Sequence, residues 1–238
     1  LYLLRELGLK HDYVALLESA DRDHGVNDFS CLAIGARDVI TVVNGEAHGS
    51  QLLKNGPVSD VLQPFESFVE NNPSDSFLRM GYLGFISHEA VRQFETIDLE
   101  PDPHTPDAVF FLPELLLQID HNQHEVTVIA HADTKIDISE ISRVIYSSPF
   151  FDDEKQRVGQ LAAKDLPLPS LEDIEPYRQM SRQEYCAAVR SAQEGIAAGE
   201  TFQVVLSQEL KMENGVAADV VYEHLRAINP SPYMYYYQ

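Results

Sequence analysis

Residues 181–210 read SRQEYCAAVRSAQEGIAAGETFQVVLSQEL, and this stretch carries a helix with both its ends, followed by a strand pattern. Ser181 with Glu184 three positions on forms a capping box, in which each side chain satisfies the other's orphan backbone donor at a helix start. Tyr185, Val189, Ala192 and Ile196 then recur at spacings of 4, 3 and 4, which lays one apolar stripe along a helix. Gly199 stands where a left-handed cap would end it. From Thr201 the period changes to two: Phe202, Val204, Leu206, Gln208 and Leu210 share one face, and Gln203, Val205, Ser207 and Glu209 share the other. The expectation is a strand whose second face offers an amide, a hydroxyl and a carboxylate to water, a neighbouring layer or a ligand.

Toward the C-terminus, VAADVVYEHLRAI (216–228) predicts a further helix with Val220, Val221, Leu225 and Ile228 as its buried side, stopped by Pro230. Toward the N-terminus, Pro167, Pro169 and Pro176 forbid a long helix or central strand, so a linker over 148–178 is expected between a domain of 1–147 and a second beginning at 179. Within the first, ELLLQID (114–120) and EVTVIAHAD (125–133) read as an antiparallel hairpin. DVITVV (38–43) before Asn44-Gly45 reads as a strand entering another. Residues 57–71 have helix-like spacing with Pro64 as a possible break.

With 38 Asp and Glu against 17 Lys and Arg, the net charge is −21, so nucleic acid and anionic membrane surfaces are disfavoured as partners. Two cysteines supply neither a disulfide framework nor a CxxC spacing, and no window holds the ~18 apolar residues of a membrane helix. A soluble, cytoplasmic protein is expected. The chain opens on Leu1 rather than Met and stops after an apolar, aromatic run, so a piece of a longer protein is expected.

Four separated segments resemble the large subunit of anthranilate synthase: LLESAD (16–21), GYLGFIS (81–87) with Val91-Arg92 and Phe94-Glu95 after it, residues 181–210, and NPSPYM (229–234). They occur in the family's order across nearly the whole chain. The resemblance implies an α/β (α+β) fold, two packed sheets flanked by helices in a large sandwich, of which this chain would be the amino-terminal half. It implies attack of ammonia on chorismate with loss of water and then pyruvate to give anthranilate, the first step toward tryptophan. It also implies magnesium as Lewis acid, with ligands beyond Gln238 and none in this chain, and a glutamine amidotransferase small subunit as ammonia source.

Gln203 is the residue that the resemblance places at the chorismate site. Relatives that use water carry a lysine base at the matching position, whereas ammonia is already a good nucleophile and needs only a positioning amide. The plainer reading is a hydrogen-bonded amide on a strand's polar face. Leu17, Glu18 and Ser19, with Ser231, Pro232, Tyr233 and Met234, resemble the two halves of a feedback pocket for L-tryptophan: a carboxylate for its ammonium, small polar groups for orientation, apolar walls for its indole. Here the plainer reading is core leucines, a turn serine and a helix stop. Gly81 and Gly84 are no dinucleotide fingerprint and read as a close-packed strand pair; His88, Glu89 and Arg92 read as a helix start, and His121 and His124 as solvent-facing turn residues rather than metal ligands. Aminodeoxychorismate synthase is the nearest rival, disfavoured by the Tyr-Met ending of NPSPYM. A non-catalytic tryptophan-binding module is the alternative of another class, since the chain alone is expected to be inactive.

Overall fold

The computed structural model describes residues 1–18, 29–65, 80–97, 104–148, 171–211 and 215–238. The chain divides into two compact units, one of Leu1–Gln160 with Asp219–Gln238 and one of Leu161–Ala218.

The first unit is built on two long antiparallel strands, β2 (Phe29–Val43) and β6 (Ala108–Asp120), paired from Phe29↔Asp120 to Val42↔Ala108. Their register shifts between Ala36 and Asp38, next to Gly35 at φ +70, and such a bulge bends both strands. On one side of the bulge β1 (Val14–Glu18) and β8 (Met234–Tyr237) extend the sheet beyond β2, and β7 (Glu125–Ala130) flanks β6. On the other side β3 (Glu46–His48) and β4 (Gly56–Pro57) flank β2, and β5 (Leu83–Ile86) flanks β6. The expected mixed α+β class is present, and the eight described strands belong to one sheet.

Both predicted hairpins form. Asn44 and Gly45 take φ 50 and 76, the left-handed pair that a two-residue turn needs to match strand twist. β6 and β7 turn at residues 121–124, with His124 at φ 56. The close strand pair at Gly84 is also present: a Cβ there would lie 1.9 Å from the Val109 carbonyl oxygen, so only glycine lets β5 approach β6. Around the β1 half of the sheet, Leu4, Val14, Leu16, Leu32, Ile34, Leu115, Leu117 and Met234 form a core with helices α1 (Tyr2–Glu6) and α2 (Ile138–Ser147). A second core lies by the other half, around Ile40, Val42, Val61 and Ala108.

Two buried carboxylates tie loops to this sheet. Asp38 accepts from the Ser50 hydroxyl, from Tyr82 Oη at 2.6 Å and from the Gln51 backbone at 2.7 Å. Asp107 receives Arg92 at 2.7 Å and Gln93 at 2.9 Å, which ties the 3-10 turn at His88–Gln93 to the sheet and makes it a hydrogen-bonded helical start. The helix expected over 57–71 is corrected for its described part. Gly56–Pro57 is strand β4, Asp60 caps the backbone of Leu62 and Gln63, and only a 3-10 turn follows at Gln63–Phe65. Residues 66–71 lie outside the described residues.

The second unit's described residues begin with a short helix α3 (Leu171–Ile174) and a 3-10 turn at Glu175–Tyr177; most of the expected linker, 149–170, lies outside them. α4 (Arg182–Ala198) has the capping box and the left-handed Gly199, φ +81, that its sequence foretells. The Thr201–Leu210 strand does not form a ladder. A strand needs a partner along its length, and among the described residues this segment has one isolated bridge, Arg178↔Leu210, with Gln179 and Tyr177 bonding Glu209 and Lys211. Its apolar face is therefore uncovered in the unit, and Phe202 is fully exposed.

Asp219–Gln238 belongs to the first unit. There α5 (Ala218–Ile228) departs from expectation in the face that it buries. Val221, Leu225 and Ile228 are 47, 49 and 52% exposed, while Asp219 and Tyr222 are buried. Positions 219, 222, 223 and 226 also fall on one helical face, and ionic contacts to Arg5 and Glu18 turn that face inward.

Candidate effector and chorismate sites

The two segments expected from the resemblance to frame a tryptophan pocket meet at one end of the sheet, where β1 and β8 pair. β1 and β8 run antiparallel with Glu18 opposite Met234 and Leu17 opposite Tyr235, and Glu18 faces Ser30 on its other side. Directly paired residues put their side chains on one face, so Met234, Glu18, Ser30 and Ile119 form a row across four strands. Met234 and Ile119 lie in the core, which leaves Glu18 and Ser30 as the row's polar members. Leu17, one residue earlier, points to the opposite face.

Glu18 is 7% exposed, and its Oε1 receives two donors, Arg226 Nε at 2.8 Å and Tyr222 Oη at 2.9 Å. Residues 222 and 226 are one helical turn apart on α5, so a single face delivers both. Burial, then the charge and hydrogen bond of Glu18, push the Tyr222 hydroxyl well above its ordinary value, so it stays a donor. Its ring packs edge-on against Tyr236 of β8, centroids 5.9 Å apart. The same helix is tied to α1 through Arg5, whose Nε lies 2.6 Å from Asp219 and whose Nη2 lies 2.9 Å from Glu223. Ser30 Oγ is 2.8 Å from His121 Nε2, so His121 turns toward the sheet rather than only to solvent.

Of the other residues expected at that site, Ser231 and Pro232 are half-buried, Tyr233 is exposed, and Tyr233 N donates to Ser231 Oγ at 3.4 Å. Ser19 lies outside the described residues. Gln203 belongs to the second unit, where its side chain is exposed and its carbonyl accepts from Thr201 Oγ1 at 3.2 Å. The structure thus brings Glu18 to Met234 and leaves Gln203 in a separate unit. Reading by apolar period missed Arg226, Tyr222 and Ser30. The spacing 219, 222, 223, 226 was available as a second stripe on α5, in competition with the apolar one.

Among the described residues no group of three or more His, Cys, Asp or Glu side chains converges to hold a metal ion.

The chorismate binding enzyme family matches residues 12–238, and the chain belongs to that family. Within it, the chain is 32% identical over 253 residues to anthranilate synthase component 1 of Mycobacterium tuberculosis, an alignment covering 98% of this chain and 48% of that protein. It is 29% identical to the component 1 of Thermus thermophilus, over 93% of this chain and 46% of the relative. The crystal structure of anthranilate synthase component I from Streptococcus pneumoniae TIGR4 superimposes with a TM-score of 0.57 at 25% identity, covering 87% of this chain and 47% of that one. The chain spans about half the length of the curated relatives it matches. No helix among the described residues is long and apolar enough to cross a membrane.

Proposed function

We propose that the protein carrying this chain is the chorismate-converting large subunit of anthranilate synthase, inhibited by L-tryptophan and supplied with ammonia by a glutamine amidotransferase small subunit. The observation that carries this reading is the alignment along nearly the whole chain to proteins named anthranilate synthase component 1. The pairing of Glu18 with Met234 supports the effector half, because it sets a carboxylate beside a polarizable apolar side chain at one sheet end, the two kinds of group that an amino acid with an indole ring requires.

In this reading Gln203 orients ammonia for attack, while the Glu18 carboxylate accepts the effector's ammonium. Magnesium supplies Lewis-acid chemistry from ligands outside residues 1–238. Residues 1–147 and the segment from 179 onward serve as the amino-terminal domain and the start of the catalytic domain, joined by the linker over 148–178. The effector lowers turnover by favouring a less active conformation, which requires different affinities for the two states. The complete protein, supplied with chorismate, magnesium and ammonium salt, is expected to release fluorescent anthranilate, and L-tryptophan is expected to suppress it. Formation of 4-amino-4-deoxychorismate in place of anthranilate would assign the protein to the folate branch. Residues 1–238 alone are expected to convert no chorismate.

A further inference from the structure

The charges of this chain are unequal in number and in how they are engaged. With 38 Asp and Glu against 17 Lys and Arg, no arrangement of ion pairs removes the net charge of −21. Arg5, Arg37, Arg92, Arg178 and Arg226 are each committed to a carboxylate. Among the described residues, by contrast, Glu6, Glu46, Glu125, Glu194 and Glu200 are exposed and take part in no ion pair. In the first unit they are spread over α1, β3 and β7; in the second they lie in α4 and just past its cap.

Such an excess keeps a protein soluble, and it also acts on folding. Folding draws like charges into a smaller volume than the unfolded chain allows them, so their repulsion opposes the compact state. Salt sets the reach of that repulsion: the Debye length is about 10 Å at 0.1 M ionic strength and about 3 Å at 1 M. Carboxylates on neighbouring elements therefore still repel at the first concentration and hardly at the second.

Salt weakens attractions too, so the sign of its effect depends on which charges it reaches. Arg5 with Asp219, Arg92 with Asp107 and Arg226 with Glu18 tie the first unit together, and their carboxylate side chains are only 12, 1 and 5% exposed. Pairs with a buried member are screened much less than exposed charges. Lys10 with Glu140 and Arg37 with Asp133 are exposed pairs and contribute little at any salt concentration. The charges that salt reaches best are the unpaired carboxylates, and screening those stabilises the fold.

We propose that this chain is a salt-stabilised fold, whose surface carboxylates take a diffuse shell of hydrated monovalent cations as their partner, so that stability rises with ionic strength up to molar concentrations. The cations occupy no fixed place. They are neither substrate nor cofactor, and the inference stands apart from the chorismate and effector readings.

The test is urea denaturation of the complete protein, followed by circular dichroism in about 0.1 M and about 1 M KCl. Urea is uncharged and adds no screening of its own. The parent is compared with a variant carrying Glu6→Gln, Glu46→Gln, Glu125→Gln, Glu194→Gln and Glu200→Gln, exposed positions at which the amide keeps the shape of the side chain and removes its charge. The parent's urea midpoint is expected to rise in 1 M KCl. The variant is expected to exceed the parent in 0.1 M KCl and to gain less from added salt, so that the two converge. A parent midpoint that stays level or falls with KCl would overturn the proposal, as would a variant less stable than the parent in 0.1 M KCl. An equal gain in both proteins would also overturn it, assigning the effect to general exclusion of salt from the protein surface.

Discussion

Arg5 Nε lies 2.6 Å from Asp219 Oδ2, joining the first helix to the residue at which the chain returns to its first unit. The Asp219 carboxylate is largely buried and Arg5 about one-third exposed, so removing the cation strands a carboxylate that water reaches poorly. Arg5→Leu is expected to lower stability by about 1–3 kcal/mol, read as a lower urea midpoint. The pair Arg5→Leu with Asp219→Leu should lose less than the two single changes summed.

Asp38 and Tyr82 give a pH-dependent counterpart. Burial pushes the Asp38 carboxyl up, but hydrogen bonds from Ser50, Tyr82 and the backbone of Gln51 and Leu52 outweigh it and hold the group below its ordinary 3.8. A carboxyl depressed in the folded state contributes stability that is present above the unfolded value and lost as pH falls through the folded one. Tyr82→Phe removes one of these donors at a cost of about 1 kcal/mol near neutrality. The gap between variant and parent should narrow below pH 3.8, as followed by circular dichroism through an acid titration.

Gly84→Ala is expected to be among the most damaging single changes in the first unit. The added Cβ would meet the Val109 carbonyl oxygen at 1.9 Å and the Phe110 Cα at 2.7 Å, both backbone atoms of a central strand that cannot yield. A loss of about 3 kcal/mol or more follows from such overpacking, visible as a lowered melting temperature or insoluble expression. Gly81→Ala, with open space around it, should be tolerated.

Gln203 gives the catalytic test. If its amide positions ammonia, Gln203→Ala in the complete protein should lower ammonia-dependent kcat/KM by about ten- to a hundredfold, the scale of lost orientation. Chorismate binding and the melting temperature should hold, because the side chain is exposed in its unit. Unchanged turnover would leave Gln203 as an ordinary exposed amide.

Features legible in the sequence were those decided within a few residues. Asn44-Gly45 turns because its two residues tolerate positive φ. Ser181 and Glu184 cap α4 because three positions bring the side chains to each other's backbone, and Gly199 ends it for want of a Cβ. The β6–β7 hairpin is likewise local, its strands alternating on either side of a four-residue turn.

The departures from these local patterns are non-local. Alternation at Thr201–Leu210 states which side chains would share a face, yet a ladder also needs a second strand, and only a single bridge at Leu210 is available among the described residues. The apolar period of α5 predicts a stripe, but that stripe is not the buried face, because Arg5 and Glu18, far away in sequence, attract the opposite one.

By itself, then, the sequence determined the family, the mixed α+β class, the hairpin turns and the limits of α4, since motif identity and short-range backbone preference are carried by neighbouring residues. Only the tertiary structure decided that β8 lies against β1, that Met234 stands opposite Glu18, and that Tyr222 and Arg226 close on the same carboxylate oxygen. Those contacts join residues some two hundred positions apart, and no local period encodes which of two stripes a helix will bury once a distant charge is brought beside it.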